Sequence, residues 1–364
     1  MPMSLFAPFP PIRTRTTPEA GVALIAALVL TVAACSGSSD PAGDKAAPGK
    51  NLASQGISAE KSDPVVEVFE PNTFGVGMII EARVDDSRPT KAHRGQTELP
   101  QRTLPVNVYS PADPRPADAV VPDAPAAEGP FPLLVFSHGV GAYGAAYQAT
   151  LQVIASAGYV VVAPTYPLGS RDTPGGASID DVDQQTGDVS FLIDEYVEAS
   201  AASSGPFSGV IDPDRLGAFG HSMGAITSIG VGFQDCCVDE RLDAVAEWSG
   251  LKLPLGGEDG ADLTGDGPPL LTVHGDVDPI VPYGAGQAFF QEAAGPKYFV
   301  TLPGEGHVTA FVVGLGTPVG SVTTLTTIDF FDRYLKDDAD GIERLESAVT
   351  ATPGIATLES VGGP

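Results

Sequence analysis

Short apolar runs followed by glycine-rich turns are the feature of this chain that most restricts its fold. Residues 133–136 and 159–162 are apolar at every position, which is typical of strands that helices cover on both faces of a sheet. A turn and then a stretch with helical spacing follow each run. This alternation predicts an α/β fold, with a mostly parallel central sheet and helices on both of its faces.

The same pattern places the individual elements. Strands are expected at residues 65–69, 78–82, 104–109, 132–138, 159–163, 215–220, 244–248, 269–274 and 298–302. Helices are expected at residues 143–157, 181–200, 223–233, 283–294 and 321–336. Only about 20 residues separate the strands at 244–248 and 269–274, so no large lid domain is expected there. In such sheets the functional groups collect at the carboxyl ends of the strands.

The N-terminus has the pattern of an export signal. Arg13 and Arg15 precede an apolar run over residues 20–34, which would span about 22 Å as a helix and is too short to cross a bilayer. Residues 1–34 are therefore predicted to be a signal peptide. The run ends in Val-Ala-Ala-Cys at Cys35 and resembles the lipobox of bacterial lipoproteins.

That resemblance implies a lipid on Cys35 and an exported protein, anchored through this lipid to the bacterial cell envelope outside the cytoplasm. An ordinary signal peptide that happens to end before a cysteine is the alternative. Residues 35–62 are polar and poor in large apolar groups, which indicates a flexible tether. Residues 63–364 are then left as one α/β domain.

Charge and cysteine content exclude other classes. The formal net charge is −27, which leaves no basic surface to neutralise a row of phosphates and excludes nucleic acid as a partner. Three cysteines cannot build a disulfide framework. Cys236 and Cys237 are adjacent, and the sequence leaves open whether they are two thiols or a vicinal disulfide.

A Gly-x-Ser-x-Gly motif at residues 220–224 stands between a predicted strand and a predicted helix. This setting favours a nucleophile elbow, in which a sharp turn exposes the hydroxyl of Ser222. Upstream, the glycine-rich residues 138–141 follow another strand, where an oxyanion loop would lie. The backbone amides of Val140 and Met223 are the candidate oxyanion donors. A plain βα turn is the alternative interpretation of the upstream loop.

Two further strand ends carry an acid and a histidine. Asp276 and Asp278 follow the strand at 269–274, and His307 follows the strand at 298–302. The order of serine, acid and histidine is that of the α/β-hydrolase triad. Over residues 103–335 the chain resembles α/β-hydrolase serine esterases, which implies Ser222 as nucleophile, His307 as base and Asp278 as the acid. Asp276 remains the alternative acid.

Residues 102–111 and the His-Gly loop at 138–139 are similar to dienelactone-hydrolase-like enzymes and to bacterial relatives of platelet-activating-factor acetylhydrolase. Cutinase-type polyester hydrolases share the Gly-His-Ser-Met-Gly elbow and are the second resemblance. The expected function is hydrolysis of small-molecule or polymeric carboxylic esters through an acyl-enzyme. Acyl transfer on the same triad, or a non-catalytic binding lipoprotein, are the rival hypotheses.

The remaining polar motifs predict no metal and no cofactor. Residues 262–267 resemble the start of a calcium loop, but Val273 stands where the bidentate glutamate is needed, so a solvated acidic loop is favoured. The histidines outside the triad are expected to pack or to support neighbouring groups, or to be solvated in the case of His93. Four aromatic residues near strand ends line the acyl pocket or pack in the core: Tyr143, Tyr147, Tyr166 and Trp248.

Overall fold

The computed structural model describes residues 74–113, 120–257 and 262–363. The strand expected at residues 65–69, the signal peptide, the tether and Cys35 lie outside the described residues. Within the described residues, no helix combines the length and the apolar character needed to cross a membrane.

A ten-stranded mixed sheet forms the centre of the domain, in the order β10-β9-β8-β7-β6-β4-β5-β2-β1-β3. The strands are β1 Gly75–Asp85, β2 Arg102–Ala112, β3 Val120–Pro122, β4 Phe131–Ser137, β5 Val160–Pro164, β6 Ile211–His221, β7 Ala244–Trp248, β8 Leu270–Gly275, β9 Lys297–Leu302 and β10 Thr357–Val361. The six strands from β9 to β5 are parallel to one another. Strands β2 and β10 pair antiparallel at the two sides of this group.

The order of the strands reverses at β4. The chain passes from β4 to β5 on one side and then crosses to β6 on the other side. A crevice at the carboxyl ends of the strands forms at such a reversal and is where ligands bind in open α/β sheets. The loops after β4 and β6, which carry the predicted oxyanion loop and elbow, therefore meet at one place.

Helices cover both faces of the sheet. They are α1 Gln148–Ser156, α2 Val182–Ala201, α3 Met223–Phe233, α4 Tyr283–Glu292, α5 Thr309–Val312, α6 Pro318–Leu335 and α7 Gly341–Thr350. Side chains of α1, α6 and α7 pack in one apolar core, and side chains of α2, α3 and α4 pack in the other. Because strand side chains alternate between the faces, each central strand contributes to both cores.

The predicted α/β fold with a mostly parallel sheet is confirmed. The structure adds β3, β10, α5 and α7, which the sequence analysis did not assign. In the loop after α3 it joins Cys236 and Cys237 in a vicinal disulfide, one of the two alternatives that the sequence left open.

A buried ion cluster holds β2 against α2. Arg102 is fully buried and donates to Asp188 from Nε, at 2.7 Å, and from Nη2. Its Nη1 donates to Asp181 at 3.1 Å, and Asp181 also accepts from the backbone N–H of Leu168. The loop after β5 is thus fixed to α2, and Gly169 in this loop accepts a hydrogen bond from Gly141 of the predicted oxyanion loop.

Replacing Arg102 should destabilise the domain strongly, because buried Asp181 would lose its cation and buried Asp188 would keep only the partly exposed Arg88. We expect Arg102→Ala to lower the free energy of unfolding by about 3–5 kcal/mol, measured by urea denaturation. Arg215 is the matched control, since it pairs with Asp337 at a half-exposed site, and Arg215→Ala should cost less than about 1 kcal/mol. Equal losses in the two variants would contradict a stabilising role of the buried cluster.

Candidate active site

Ser222 occupies a strained turn between β6 and α3. Its backbone has φ 59° and ψ −119°, a conformation that costs a non-glycine residue on the order of 1–3 kcal/mol. The turn is held by a hydrogen bond from the Ser222 N–H to the Trp248 carbonyl at 2.9 Å. The structure therefore places Ser222 in the geometry expected of an elbow.

Two glycines make this turn sterically possible. A Cβ on Gly220 would lie 2.3 Å from the carbonyl oxygen of Gly224, and a Cβ on Gly224 would lie 1.9 Å from the carbonyl oxygen of Ser137. Both distances are far below contact, so β6, α3 and the end of β4 can approach only without side chains at these positions. The Gly-x-Ser-x-Gly spacing thus follows from backbone packing.

The structure brings Ser222, His307 and Asp278 together in one hydrogen-bonded chain. His307 Nε2 lies 2.8 Å from Ser222 Oγ, and His307 Nδ1 lies 2.6 Å from Asp278 Oδ2. The three residues follow β6, β8 and β9 at the same edge of the sheet. A serine, an imidazole and a carboxylate in this order form a charge-assisted nucleophilic system.

Asp278 accepts several hydrogen bonds at the site. Its Oδ1 accepts from the backbone N–H groups of Ile280 and Val281 at 2.8 and 2.9 Å. Burial alone would raise the pKa of Asp278, but hydrogen bonds from His274 and His307 hold it well below its usual range. A carboxylate that remains charged can orient the imidazole and stabilise its protonated form.

Asp276, the alternative acid, lies elsewhere. Its Oδ1 accepts from the backbone N–H of Gly304 at 2.7 Å, a contact that connects the turns after β8 and β9. The structure thus gives Asp276 a turn contact and places Asp278 against the imidazole.

His221 supports the loop that carries His307. Its Nε2–H donates to the His307 carbonyl at 2.6 Å, and its Nδ1 accepts from the Tyr147 hydroxyl at 2.7 Å. The Tyr147 oxygen also accepts from the N–H of Gly139, at 3.3 Å. Burial, reinforced by the nearby His307, holds the pKa of His221 well below its usual value, so His221 remains neutral with a fixed tautomer.

In the loop after β4, one backbone N–H has no hydrogen-bond acceptor among the described residues. Gly141 N–H donates to Gly169, and Ala142 N–H donates to Gly139, while Gly139 N–H donates to Tyr147. Val140, between them, has no hydrogen-bond acceptor for its N–H among the described residues. Met223 begins α3, where the first N–H groups have no acceptor within the helix. These are the two amides that the sequence analysis named.

Gly139 brings this loop against the serine. A Cβ at Gly139 would lie 3.2 Å from Ser222 Cβ and 3.3 Å from the Tyr147 hydroxyl. The absence of a side chain therefore lets the loop carrying Val140 pack directly on the elbow. Backbone donors held in this way need no reorganisation when negative charge develops on an oxygen near Ser222.

His138 connects the same loop to the segment that follows β5. Its Nδ1–H donates to the Gly139 carbonyl at 2.8 Å, and its Nε2 accepts from the N–H of Tyr166 at 3.1 Å. Both contacts need the neutral imidazole, because Nε2 must keep its lone pair. Burial lowers the pKa of His138 to about 4.

Most of the aromatic candidates for the acyl pocket serve other purposes. Trp248 is fully buried, stacks on Phe311 and donates from Nε1 to Thr327. Tyr166 is likewise fully buried and bonds to Ser137. Only Tyr143 is partly exposed, beneath the Arg171 guanidinium.

The sequence analysis missed the role of Tyr147 and the presence of Glu247 beneath the site. Tyr147 holds the oxyanion loop and His221 together. Glu247 could have been noticed in the sequence, because it is an ionisable residue inside a strand that was expected to be buried on both faces. Among the described residues, no group of three or more His, Cys, Asp or Glu side chains is arranged to hold a metal ion.

Comparisons with known proteins point to an esterase with the α/β-hydrolase fold. The family model described as Chlorophyllase, an esterase family of the α/β-hydrolase type, matches residues 90–247. A ferulic acid esterase from Streptomyces cinnamoneus has a similar solved structure, with a TM-score of 0.57 and 20% sequence identity over 76% of this chain and 93% of that chain. No curated protein sequence matches significantly. The chain is an α/β-hydrolase by fold and a carboxylic ester hydrolase.

The neutral state of His138 predicts a pH-dependent stability. The unfolded chain takes up a proton at His138 below about pH 6.5, whereas the folded protein does so only near pH 4. The stabilisation is therefore complete above pH 6.5 and is lost as the pH falls towards 4, a loss of about 3 kcal/mol. The free energy of unfolding, measured by urea denaturation at each pH, should change less steeply with pH in His138→Gln than in the wild type. Parallel curves would refute the prediction.

Proposed function

We propose that this esterase is a serine hydrolase that works through an acyl-enzyme, with Ser222 as nucleophile, His307 as general base and acid, and Asp278 as the orienting carboxylate. The observation that carries the proposal is the continuous hydrogen-bonded chain from Ser222 Oγ through both nitrogens of His307 to Asp278. The strained backbone of Ser222 and the charged state of Asp278 support the same assignment.

The geometry supports a two-step reaction. Ser222 Oγ attacks the ester carbonyl carbon while its proton moves to His307 Nε2, and the negative charge forms on the carbonyl oxygen. The N–H groups of Val140 and Met223 are the donors proposed to stabilise this oxygen. The imidazolium then gives its proton to the departing alkoxide, which leaves as an alcohol. A water molecule, deprotonated by His307, releases the acid and restores the serine.

Apolar, polymeric esters are a second substrate class, favoured by two exposed side chains. Val277 and Val308 are 59% and 45% exposed and directly adjoin Asp278 and His307 in the chain. Two exposed valines beside a nucleophile provide apolar contact for an insoluble substrate. Parallel assays on soluble aryl esters, including feruloyl esters such as the structural neighbour's name indicates, and on suspended polyester distinguish the two classes.

A fluorophosphonate probe tests the proposed nucleophile. We expect the wild-type protein to be labelled at Ser222, located by peptide mass spectrometry, because the activated hydroxyl attacks the phosphorus. Ser222→Ala should abolish labelling and lower kcat for ester hydrolysis by about 10⁶-fold. A folded wild-type protein that hydrolyses no ester and is not labelled would instead favour a binding role.

The two aspartates provide matched variants for the acid. Asp278→Asn should lower kcat by about 10⁴-fold, since the amide cannot hold the required imidazole tautomer. Asp276→Asn leaves the hydrogen-bonded chain intact and should retain most of the activity. The opposite pattern would transfer the role of the acid to Asp276.

Added alcohols distinguish a hydrolase from a transferase, because a transferase would form new esters.

We also propose that the protein is exported and held at the cell envelope by a lipid on Cys35. The support is the sequence alone: the basic residues, the short apolar run and the Val-Ala-Ala-Cys end of that run. The polar residues 35–62 would then act as a tether of about 29 Å, a length estimated for a flexible coil.

Removing the thiol of Cys35 tests the anchor. In a bacterial host, Cys35→Ala should move the protein from the membrane fraction to the detergent-free soluble fraction, because no acceptor for the lipid remains. Mass spectrometry of the wild-type N-terminal peptide should show an acylated cysteine. Wild-type-like membrane retention of Cys35→Ala would exclude a lipid anchor at this residue.

A further inference from the structure

A cluster of buried polar side chains lies behind Asp278, on the face of the sheet that α4 covers. Glu247 on β7 is paired with Thr272 on β8. His274 follows Thr272 two residues later on β8, so Glu247, Thr272 and His274 point to the same face. Ser249 lies directly after the end of β7. Earlier positions on this face, Val245 and Leu270, are apolar core residues. The face therefore changes from apolar to polar towards the carboxyl ends of the strands.

All four side chains are fully buried. Each has an atom without a hydrogen-bond partner in the described structure: Glu247 Oε1, Ser249 Oγ, Thr272 Oγ1 and His274 Nδ1. Half of the eight such atoms among the described residues thus lie in this one cluster. Buried polar groups are costly, and their concentration beneath the triad points to a purpose beyond packing.

Two glycines make room for the two ionisable members of the cluster, Glu247 and His274. A Cβ on Gly286 of α4 would lie 2.5 Å from His274 Nδ1, and a Cβ on Gly250 would lie 2.6 Å from Glu247 Oε2. The N–H of Gly250 donates to the same Oε2 at 2.8 Å. Helix α4 and the loop after β7 therefore close over the imidazole and the carboxylate and exclude solvent from them.

His274 contacts the turn that carries Asp278 at two points. Its Nε2 donates to the Val281 carbonyl at 3.1 Å and lies 3.5 Å from Asp278 Oδ2. Both neighbours are acceptors, so Nε2 carries a proton in every state. The same Oδ2 accepts from His307 Nδ1. Asp278 thus stands between two imidazoles, of which only His307 contacts Ser222.

We propose that His274 is a buried imidazolium, that the nearby carboxylate of Glu247 favours its positive charge without a direct hydrogen bond, and that the imidazolium positions Asp278 and sets the charge that His307 experiences. The proposal rests on the triad function above and extends it. Burial raises the pKa of Glu247, and the charge of His274 opposes this shift. Without a charged His274, burial would favour a protonated Glu247, and Asp278 would have no buried cation behind it.

The groups around His274 fix its expected charge. Glu247 faces it from β7 and Asp278 from the turn after β8, while the uncharged ring of Tyr283 on α4 lies edge-on at 5.7 Å. On the far side of Asp278 lie His221 and His307. Burial alone would lower the pKa of His274, but the hydrogen bond to Asp278 and the charge of Glu247 raise it above its usual value.

The pH profile of kcat/KM is the first test, because a purely structural role would not shift it. In His274→Gln the glutamine amide still has a donor for the Val281 carbonyl, but the positive charge is lost. The site then holds more negative charge, and the acid limb of the profile should move up by about one pH unit. His93→Gln, at an exposed histidine that contacts Gly176, is the matched control and should leave the profile unchanged. An unshifted acid limb in active His274→Gln would overturn the proposal.

The second test needs no catalysis. The protein is labelled with ¹⁵N-histidine, and the NMR signals of His274 are assigned by their loss in His274→Gln. In the wild-type protein these signals should be those of an imidazolium well above pH 6.5, where a free imidazole titrates. Glu247→Gln should lower this midpoint by about one pH unit or more. A His274 that is neutral at pH 6.5, or a titration midpoint of His274 that is unchanged in Glu247→Gln, would overturn the proposal. Loss of the triad function would appear separately, as absent fluorophosphonate labelling of Ser222.

Discussion

The hydrogen bond between His307 Nδ1 and Asp278 Oδ2 is the interaction on which the proposed chemistry depends. It connects the turns after β8 and β9, and through His307 it reaches Ser222 after β6. The imidazole can accept the serine proton only if Nδ1 keeps its own, and the carboxylate acceptor ensures this. The parallel strands supply the framework, since their carboxyl ends place the three turns at one edge.

Close backbone packing is the second constraint, and it explains why the motifs were visible in the sequence. Gly220, Gly224 and Gly139 each stand where a side chain would collide with neighbouring atoms or crowd the serine. The bounds of α3 were predicted correctly because the elbow fixes where the helix begins. The fully buried strand β4 was also predicted within one residue, because burial on both faces favours an apolar run. The bounds of β7 were predicted correctly although Glu247 interrupts its apolar residues.

The missed elements depend on contacts that are distant in the chain. Strand β10 is mostly exposed and owes its structure to pairing with β9, so no apolar pattern marks it. Helix α7 did carry a signal, since Ile342, Leu345 and Val349 recur at helical spacing and are buried. The proposed influence of Glu247 on His274 was beyond sequence reasoning, because it depends on the register of β7 against β8, which sets Glu247 opposite Thr272. The choice between Asp276 and Asp278 likewise needed the positions of both turns.

The histidines near the serine divide according to the charge of their surroundings. His138 and His221 are buried where only neutral acceptors and donors meet them, and burial lowers the pKa of both. His274 is equally buried but lies between two carboxylates, which reverse the shift. Fixed neutral imidazoles on one side and a proposed fixed cation on the other leave His307 as the imidazole that exchanges a proton with Ser222. A site built in this way localises the proton transfer of the proposed reaction to a single ring, because burial disfavours protonation of His138 and His221 and the nearby carboxylates disfavour deprotonation of His274.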